Sequence, residues 1–246
     1  MKMTMDLHTH TTYSHGLGSI EDNVKEGIRK GLEAMAISDH GPGHLGFGIK
    51  PGALKQMRRE LDALQEKYPQ IKLYLGIEAN ILGRDGAIDV SEEDLGLLDY
   101  VLCGYHFGSK PGKWTRDLPV HLFNLLNRWT GGFEKKARAL NTEATVNCLM
   151  NNRIDVLTHP GAKGPVDMLE VARAAEKAGT MLEINNSHGH LSEEELKICM
   201  LTKVRFIVGS DAHKPGDVGR YKEALKRIVQ AGVPLERVAN LKEGME

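Results

Sequence analysis

The pattern of this sequence predicts an α/β protein whose parallel strands curl into a closed or distorted barrel. Short apolar runs alternate with amphipathic stretches of helical length through seven strand-then-helix units. Strands that are apolar throughout belong in a parallel sheet covered by helices. Runs one, two, three, four, five and seven also end in histidine or an acidic residue, as expected where side chains from many strand ends converge on a barrel active site. The competing architecture, an open doubly wound sheet, lacks support because no glycine-rich phosphate fingerprint follows a strand in the required form.

The first run ends in His8-Thr9-His10, with His15 in the loop beyond. Side chains repeat every two residues along a strand, so Asp6, His8 and His10 are expected on one face. Ser19 should cap a helix with Ile20, Val24, Gly27 and Ile28 on one stripe, stopped by Gly31. A strand over 32–38 delivers Asp39 and His40, and a Gly-rich loop over 41–48 holds His44. Pro51 should open a helix with the stripe Leu54, Met57, Leu61 and Leu64. A third strand over 71–77 hands over Glu78, 85–99 reads as a loop or short helix, and a fourth strand over 100–105 leads to His106.

Residues 107–133 break this rhythm, with Lys110, Lys113 and Arg116 in a polar stretch before a short amphipathic helix over 120–129. They read as an insertion over one end of the barrel, placed as a lid. A helix then covers 133–150, a strand over 154–158 ends at His159, and Pro165 should open a helix closing at Gly179. A strand over 180–184 ends in Asn185 and Asn186, and Ser192 with Glu195 forms a capping box. A strand over 204–209 delivers Ser210, Asp211 and His213, and the last helix covers 217–231. No repeat or linker divides the chain, so one domain over 1–246 is expected.

Charge and cysteine usage narrow the function classes. Thirty-two basic and 33 acidic side chains give a net charge of −1, so long nucleic acid is not an expected partner. No apolar run approaches the roughly 20 residues that span a bilayer, and the N-terminus is polar, so no membrane is expected. The three cysteines match no zinc-knuckle spacing and read as reduced residues of a cytoplasmic protein.

Eleven histidines stand against five phenylalanines and six tyrosines, and seven of them fall at the ends of apolar runs. His8, His10, His15, His40, Glu78, His106, His159, Asp211 and His213 together offer seven imidazoles and two carboxylates. Singly, each has an ordinary explanation: a satisfied strand-end histidine, a salt bridge for Glu78, a turn cap for Asp211. One shared pocket accounts for all nine. Such donors suit two to three divalent ions, Zn, Mn or Fe, each with an open position.

All of these residues but His15 lie in a set of motifs: Asp-Leu-His-Thr-His at 6–10, Ile-Ser-Asp-His at 37–40, Gly-Ile-Glu-Ala-Asn at 76–80, Gly-Tyr-His at 104–106, Thr-His-Pro-Gly at 158–161, Glu-Ile-Asn-Asn at 183–186 and Gly-Ser-Asp-Ala-His at 209–213. The set resembles the PHP (polymerase and histidinol phosphatase) superfamily over nearly the whole chain. The resemblance implies a distorted (β/α)7 TIM-like barrel, a trinuclear site and phosphoesterase activity. It also implies that His8, His10, Glu78 and Asp211 hold one ion and that Glu78, His106 and His159 hold a second. His15, His40 and His213 would hold a third.

A metal-activated hydroxide would then attack phosphorus in line, without a Ser or Cys nucleophile. The expected function is a histidinol-phosphatase-like phosphomonoesterase acting on a small phosphorylated metabolite. The alternatives are a phosphodiesterase or exonuclease acting on nucleotides or nucleic-acid ends, an amidohydrolase-like enzyme and a non-catalytic metal-binding regulatory barrel. Lys110, Lys113 and Arg116 are candidate phosphate contacts, or a solvated loop. His188 and Asn185 are candidate substrate contacts. Asp6 is a candidate partner that fixes a histidine tautomer. His121 and Asp39 read as structural, and His44 and His190 as facing substrate or water. Composition does not indicate the oligomeric state.

Overall fold

The computed structural model describes residues 1–244; Met245 and Glu246, the end of the expected single-domain span, lie outside the described residues. The chain opens with two short strands, β1 (Lys2–Met3) and β2 (Met5–Asp6), followed by helix α1 (Ile20–Arg29). Then come β3 (Ala34–Ile37), α2 (Ala53–Lys67), β4 (Lys72–Asn80), α3 (Glu92–Leu95) and β5 (Tyr100–Gly104). Two long helices, α4 (Trp114–Thr130) and α5 (Glu134–Asn151), precede β6 (Val156–Leu157). The rest is α6 (Met168–Ala178), β7 (Met181–Asn185), α7 (Glu193–Cys199), β8 (Phe206–Gly209), α8 (Lys222–Ala231) and β9 (Leu241–Lys242).

Strands β2 to β8 form one seven-stranded parallel sheet in chain order, with helices alternating around it. This is a distorted (β/α)7 TIM-like barrel, as the strand-then-helix rhythm predicts. Its interior is filled by Leu7, Ala36, Leu102, Val156 and Ile207, with Met5, Tyr74, Tyr100 and Met181 packed against them. The larger apolar core lies between strands and helices and includes Met35, Leu75, Ile77, Val171, Ile184 and Phe206.

Local chemistry sets the helix ends. Ser19 and Ser192 each close a capping box, with Asp22 and Glu195 as partners. Gly131 and Gly179 end α4 and α6 in the left-handed conformation, which glycine adopts without a Cβ clash. Two expected starts shift. Pro51 lies in the turn before α2, whose N-cap is Gly52, and α6 begins beyond Pro165 with Asp167 as its cap. The expected last helix is split into a 3₁₀ turn at Pro215–Asp217 and α8. Helix α4 starts six residues before the expected 120 and carries Pro119 inside its second turn.

Strands β8 and β2 share no ladder, and a side-chain amide below and backbone bonds above close the seam between them. Asn240 accepts the Val208 N–H at 2.9 Å and donates to the carbonyls of Val208 at 2.7 Å and Met5 at 2.6 Å. Higher up, His10 N–H donates to Ala212 O at 2.8 Å and Ala212 N–H to His8 O at 3.2 Å. The antiparallel pair β1–β9 ties the two chain ends together beneath the seam.

Candidate metal centre

The regular ladder of β2 stops at Asp6, and strand alternation stops with it. Leu7 joins the barrel interior and the adjacent His8 also reaches inward, to 3.3 Å from Glu78. Asp6 therefore does not share a face with the imidazoles, and its expected role is corrected. Its carboxylate accepts the backbone N–H groups of His8 (3.3 Å), Ser210 (3.2 Å) and Gly219 (2.8 Å). Asp6 fastens the seam instead of fixing a histidine tautomer.

Glu78, fully buried on β4, is the hub. Its Oε1 lies 3.0 Å from His159 Nε2, 3.1 Å from His106 Nε2 and 3.3 Å from His8 Nε2. Its Oε2 lies 2.9 Å from His40 Nδ1 and 3.6 Å from His10 Nε2. Asp211 Oδ1 stands 3.4 Å from His10 Nε2 and 3.6 Å from His8 Nε2. The donors of His10, His40 and His213 lie within 4.8 Å of one another, as do those of His8, His159 and Asp211. The His15 ring lies 4.3 Å from that of His213 and 4.9 Å from that of His40, and stacks on Phe47. All nine strand-end residues thus meet at the C-terminal mouth of the barrel.

Backbone geometry aims two of them. His159 and Asp211 adopt φ of +28° and +53°, a region costly for residues with a Cβ. Each turns the chain sharply at a strand end, so that its side chain points into the pocket.

Polar partners fix which ring nitrogen is free. His8 Nδ1 lies 2.6 Å from Glu183 Oε1, His106 Nδ1 2.9 Å from Asn80 Oδ1, and His213 Nδ1 3.0 Å from Asp211 O. With Nδ1 engaged in this way, each ring turns its Nε2 toward the pocket. Asp39 plays the expected structural part. It accepts from Thr11 N–H at 2.8 Å and Ser14 Oγ at 2.5 Å, and so pins the loop that carries His15.

Among the described residues, six buried donor or acceptor atoms at this site lie close to one another yet make no hydrogen bond of proper geometry: His8 Nε2, both nitrogens of His10, His15 Nδ1, His40 Nδ1 and Glu78 Oε2. Unpaired buried polar atoms cost about 1–3 kcal/mol each. Six in one pocket make sense if cations complete them, so these residues fit divalent metal ions.

The charge states agree. Burial alone would raise the Glu78 carboxyl, but His106, His8 and His40 outweigh it and hold it well below the usual range. Asp211 is likewise buried, and His8, His10 and His188 hold it well below its usual value. Burial, with His40 adding to it, lowers His10 well below the ordinary imidazole range. It pushes His106 down to about 3 against the pull of Glu78, and His15 down to about 4 with His213 and His40 adding. Burial also pulls on His8 and His159, but Glu183, Glu78 and Asp211 raise both above the ordinary value. Ionised carboxylates and neutral imidazoles are the forms that bind a metal, so Glu78, Asp211, His10, His15 and His106 are ready for one, whereas His8 and His159 would have to give up a proton.

The pocket over this hub has a volume of about 280 Å³, and Arg128, Lys163, His188, Phe47, Phe107 and His44 contribute to its wall. Lys110, Lys113 and Arg116 are not among its lining residues. Arg116 pairs with Asp117 and Asp85, both at 2.7 Å, which spends its charge on holding the start of α4. The cations at the mouth are Arg128, from α4, and Lys163, from the loop after β6. His188 does line the pocket, 3.1 Å from Asp211 Oδ2. Asn185 is a buried brace instead of a substrate contact, donating to Glu183 at 3.0 Å and Asp211 at 3.2 Å. His44 uses both ring nitrogens on the backbone of Phe107, Gly46 and Phe47. His121 bonds Leu82 O at 3.2 Å, as a structural residue would.

The model of the PHP domain matches residues 6–188 of this chain. The chain belongs to the PHP family. This PHP protein is 33% identical over 255 residues to a probable phosphatase of Thermoanaerobacter sp. (strain X514), covering 99% of this chain and 93% of that one. It is 32% identical over 250 residues to a probable phosphatase of Acetivibrio thermocellus, covering 98% and 92%. Among solved structures it is similar to a histidinol phosphate phosphatase from Lactococcus lactis, complexed with zinc, L-histidinol and phosphate. The TM-score is 0.64 at 16% identity, over 94% of this chain and 95% of that one, a likeness of fold. The PHP protein described here is a metal-dependent phosphoesterase. Among its described residues, no helix is long and apolar enough to cross a membrane.

Glu183 escaped the sequence reading although it lies within one of the quoted PHP motifs. The available signal was a carboxylate inside an apolar strand, fully buried here and given room by Gly209, where an added Cβ would fall 1.9 Å from Glu183 Oε1.

Proposed function

We propose that this chain is a phosphomonoesterase for a small phosphorylated metabolite, of the histidinol-phosphatase kind, working with two to three divalent ions, Zn, Mn or Fe. The six buried atoms around Glu78 without a hydrogen bond of proper geometry carry this reading. His8, His10, Glu78 and Asp211 would hold one ion, Glu78, His106 and His159 a second, and His15, His40 and His213 a third. Bound ions of this kind supply a hydroxide at neutral pH and neutralise phosphoryl charge.

The chain's own side chains do the placing. Glu183, Asn80 and the backbone of Asp211 hold three imidazoles with Nε2 inward. Arg128 and Lys163 at the mouth would grip the ester's phosphate, and Phe47 and Phe107 would flank its organic part. A pocket of about 280 Å³ with two cations at its mouth suits one phosphate group better than a polymer backbone. That feature favours a monoester over a phosphodiester of long nucleic acid. The 107–133 segment would act as the lid, since Phe107 and Arg128 both come from it.

Elemental analysis of the purified protein, followed by phosphate release from p-nitrophenyl phosphate, histidinol phosphate and a dinucleotide, tests this. Metal together with monoester hydrolysis is expected. Preference for the dinucleotide would move the assignment to phosphodiesters, and metal without release from any ester would remove the catalytic reading.

A further inference from the structure

The flank of α4 nearest the pocket supplies Arg128, while another face of the same helix has no partner among the described residues. Five large apolar side chains of α4 are exposed: Trp114, Leu118, Leu122, Leu125 and Trp129. Trp114 and Trp129 are 67% and 76% exposed, and they are the only two tryptophans of the chain. At about 100° per residue, all five fall within an arc of about 80°. Asp117, Val120 and Asn124, the buried residues of α4, lie on a different side. Single exposed apolar residues elsewhere on a surface need no explanation. A stripe about 22 Å long on one helix does.

We propose that this stripe is the contact between two copies of this chain, packed α4 against α4 in antiparallel about a twofold axis between His121 and Leu122. The spacing is self-complementary. Trp114 and Trp129 stand equally far on either side of the midpoint between His121 and Leu122, and so do Leu118 and Leu125. Leu122 lies within half a residue of that midpoint. Antiparallel pairing therefore sets Trp114 on Trp129 of the second copy and Leu118 on Leu125, with the two copies of Leu122 side by side next to the axis. Each residue meets the counterpart that meets it in return, as an isologous interface requires.

The charges agree with this register. Lys113 falls opposite Thr130 and Arg128 opposite Thr115, so no like charges face each other. The stripe offers on the order of 600 Å² of apolar surface per copy, near the lower limit for a specific interface. The dimer is accordingly one that dissociates on dilution. It sets Arg128, at the pocket mouth, beside the contact.

The test is sedimentation equilibrium of the full metal-loaded chain from nanomolar to tens of micromolar, with tryptophan emission followed over the same range. A monomer–dimer equilibrium is expected, with emission shifting to the red on dilution as both indoles become wet. Leu122→Glu should be monomeric throughout, with unchanged circular dichroism and turnover. Leu122→Cys should form a disulfide-linked dimer under mild oxidation, whereas Leu201→Cys, exposed on another surface, should not. A monomer over the whole range, a trimer, or a dimer that survives Leu122→Glu while Leu122→Cys fails to cross-link would overturn the proposal.

Discussion

One carboxylate, Glu183, orients two imidazole-bearing residues: its Oε1 lies 2.6 Å from His8 Nδ1, and its Oε2 accepts the backbone N–H of His159 at 2.8 Å. It fixes the ring of one and the turn of the other. Partners of this kind are worth about 10–100-fold in metal affinity. Glu183→Gln keeps the shape but sets an amide N–H against the His159 N–H or the His8 ring, so metal affinity should fall by roughly that factor. Gly209→Ala should reproduce the loss by displacing the same carboxylate. Chelator competition measures both, and unchanged affinity in Glu183→Gln would refute the role.

Residues that hold metal and residues that grip substrate should separate kinetically. His10→Ala or Asp211→Ala should lose metal and turnover together. Lys163→Ala or Arg128→Ala should retain metal and mainly raise KM, about tenfold for one lost phosphate contact. Arg116→Ala should leave KM near its starting value, because its guanidinium is committed to Asp117 and Asp85. Steady-state kinetics with metal analysis on each variant decides it.

Metal uptake should release protons, and the sources can be named. Glu183, Glu78 and Asp211 raise the pKa values of His8 and His159 in the metal-free protein, so these two imidazoles hold their protons to higher pH. His106, at about 3, and His15, at about 4, are already neutral and release none. Proton release per protein should therefore shrink as the pH rises through the values of His8 and His159. Calorimetric titration with metal in buffers of different ionisation enthalpy reads this directly. A release that does not change with pH would contradict it.

Asn240→Ala tests how the barrel is closed. Removing the amide leaves Val208 N–H and the carbonyls of Val208 and Met5 without their partner at the β8–β2 seam. The expected cost is about 3 kcal/mol, or roughly 10 °C in Tm for a chain of this size. Thermal unfolding of the metal-free variant measures it, and a shift within 2 °C would assign the closure elsewhere.

What the sequence determined by itself was whatever depends on near neighbours. Ser19 and Ser192 cap helices through residues three positions away, Gly131 and Gly179 end them, and apolar runs of strand length end in His40, His106 and His159. Those local signals suffice for the seven-unit barrel and for the nine residues that meet at its mouth. Tertiary structure alone decided what depends on groups far apart in the chain. Asn240 faces Val208 and Met5 because the chain ends pair through β1 and β9. Asp6 turns to the seam because the ladder stops there, and Glu183 finds His8 from 175 positions away in the chain. Arg128 and Lys163 displaced Lys110, Lys113 and Arg116 at the pocket because the packing of α4, not proximity to His106 in sequence, sets which charges reach the opening. A hydrogen bond or ion pair has a reach of a few ångströms, and only the folded chain brings remote residues within that distance.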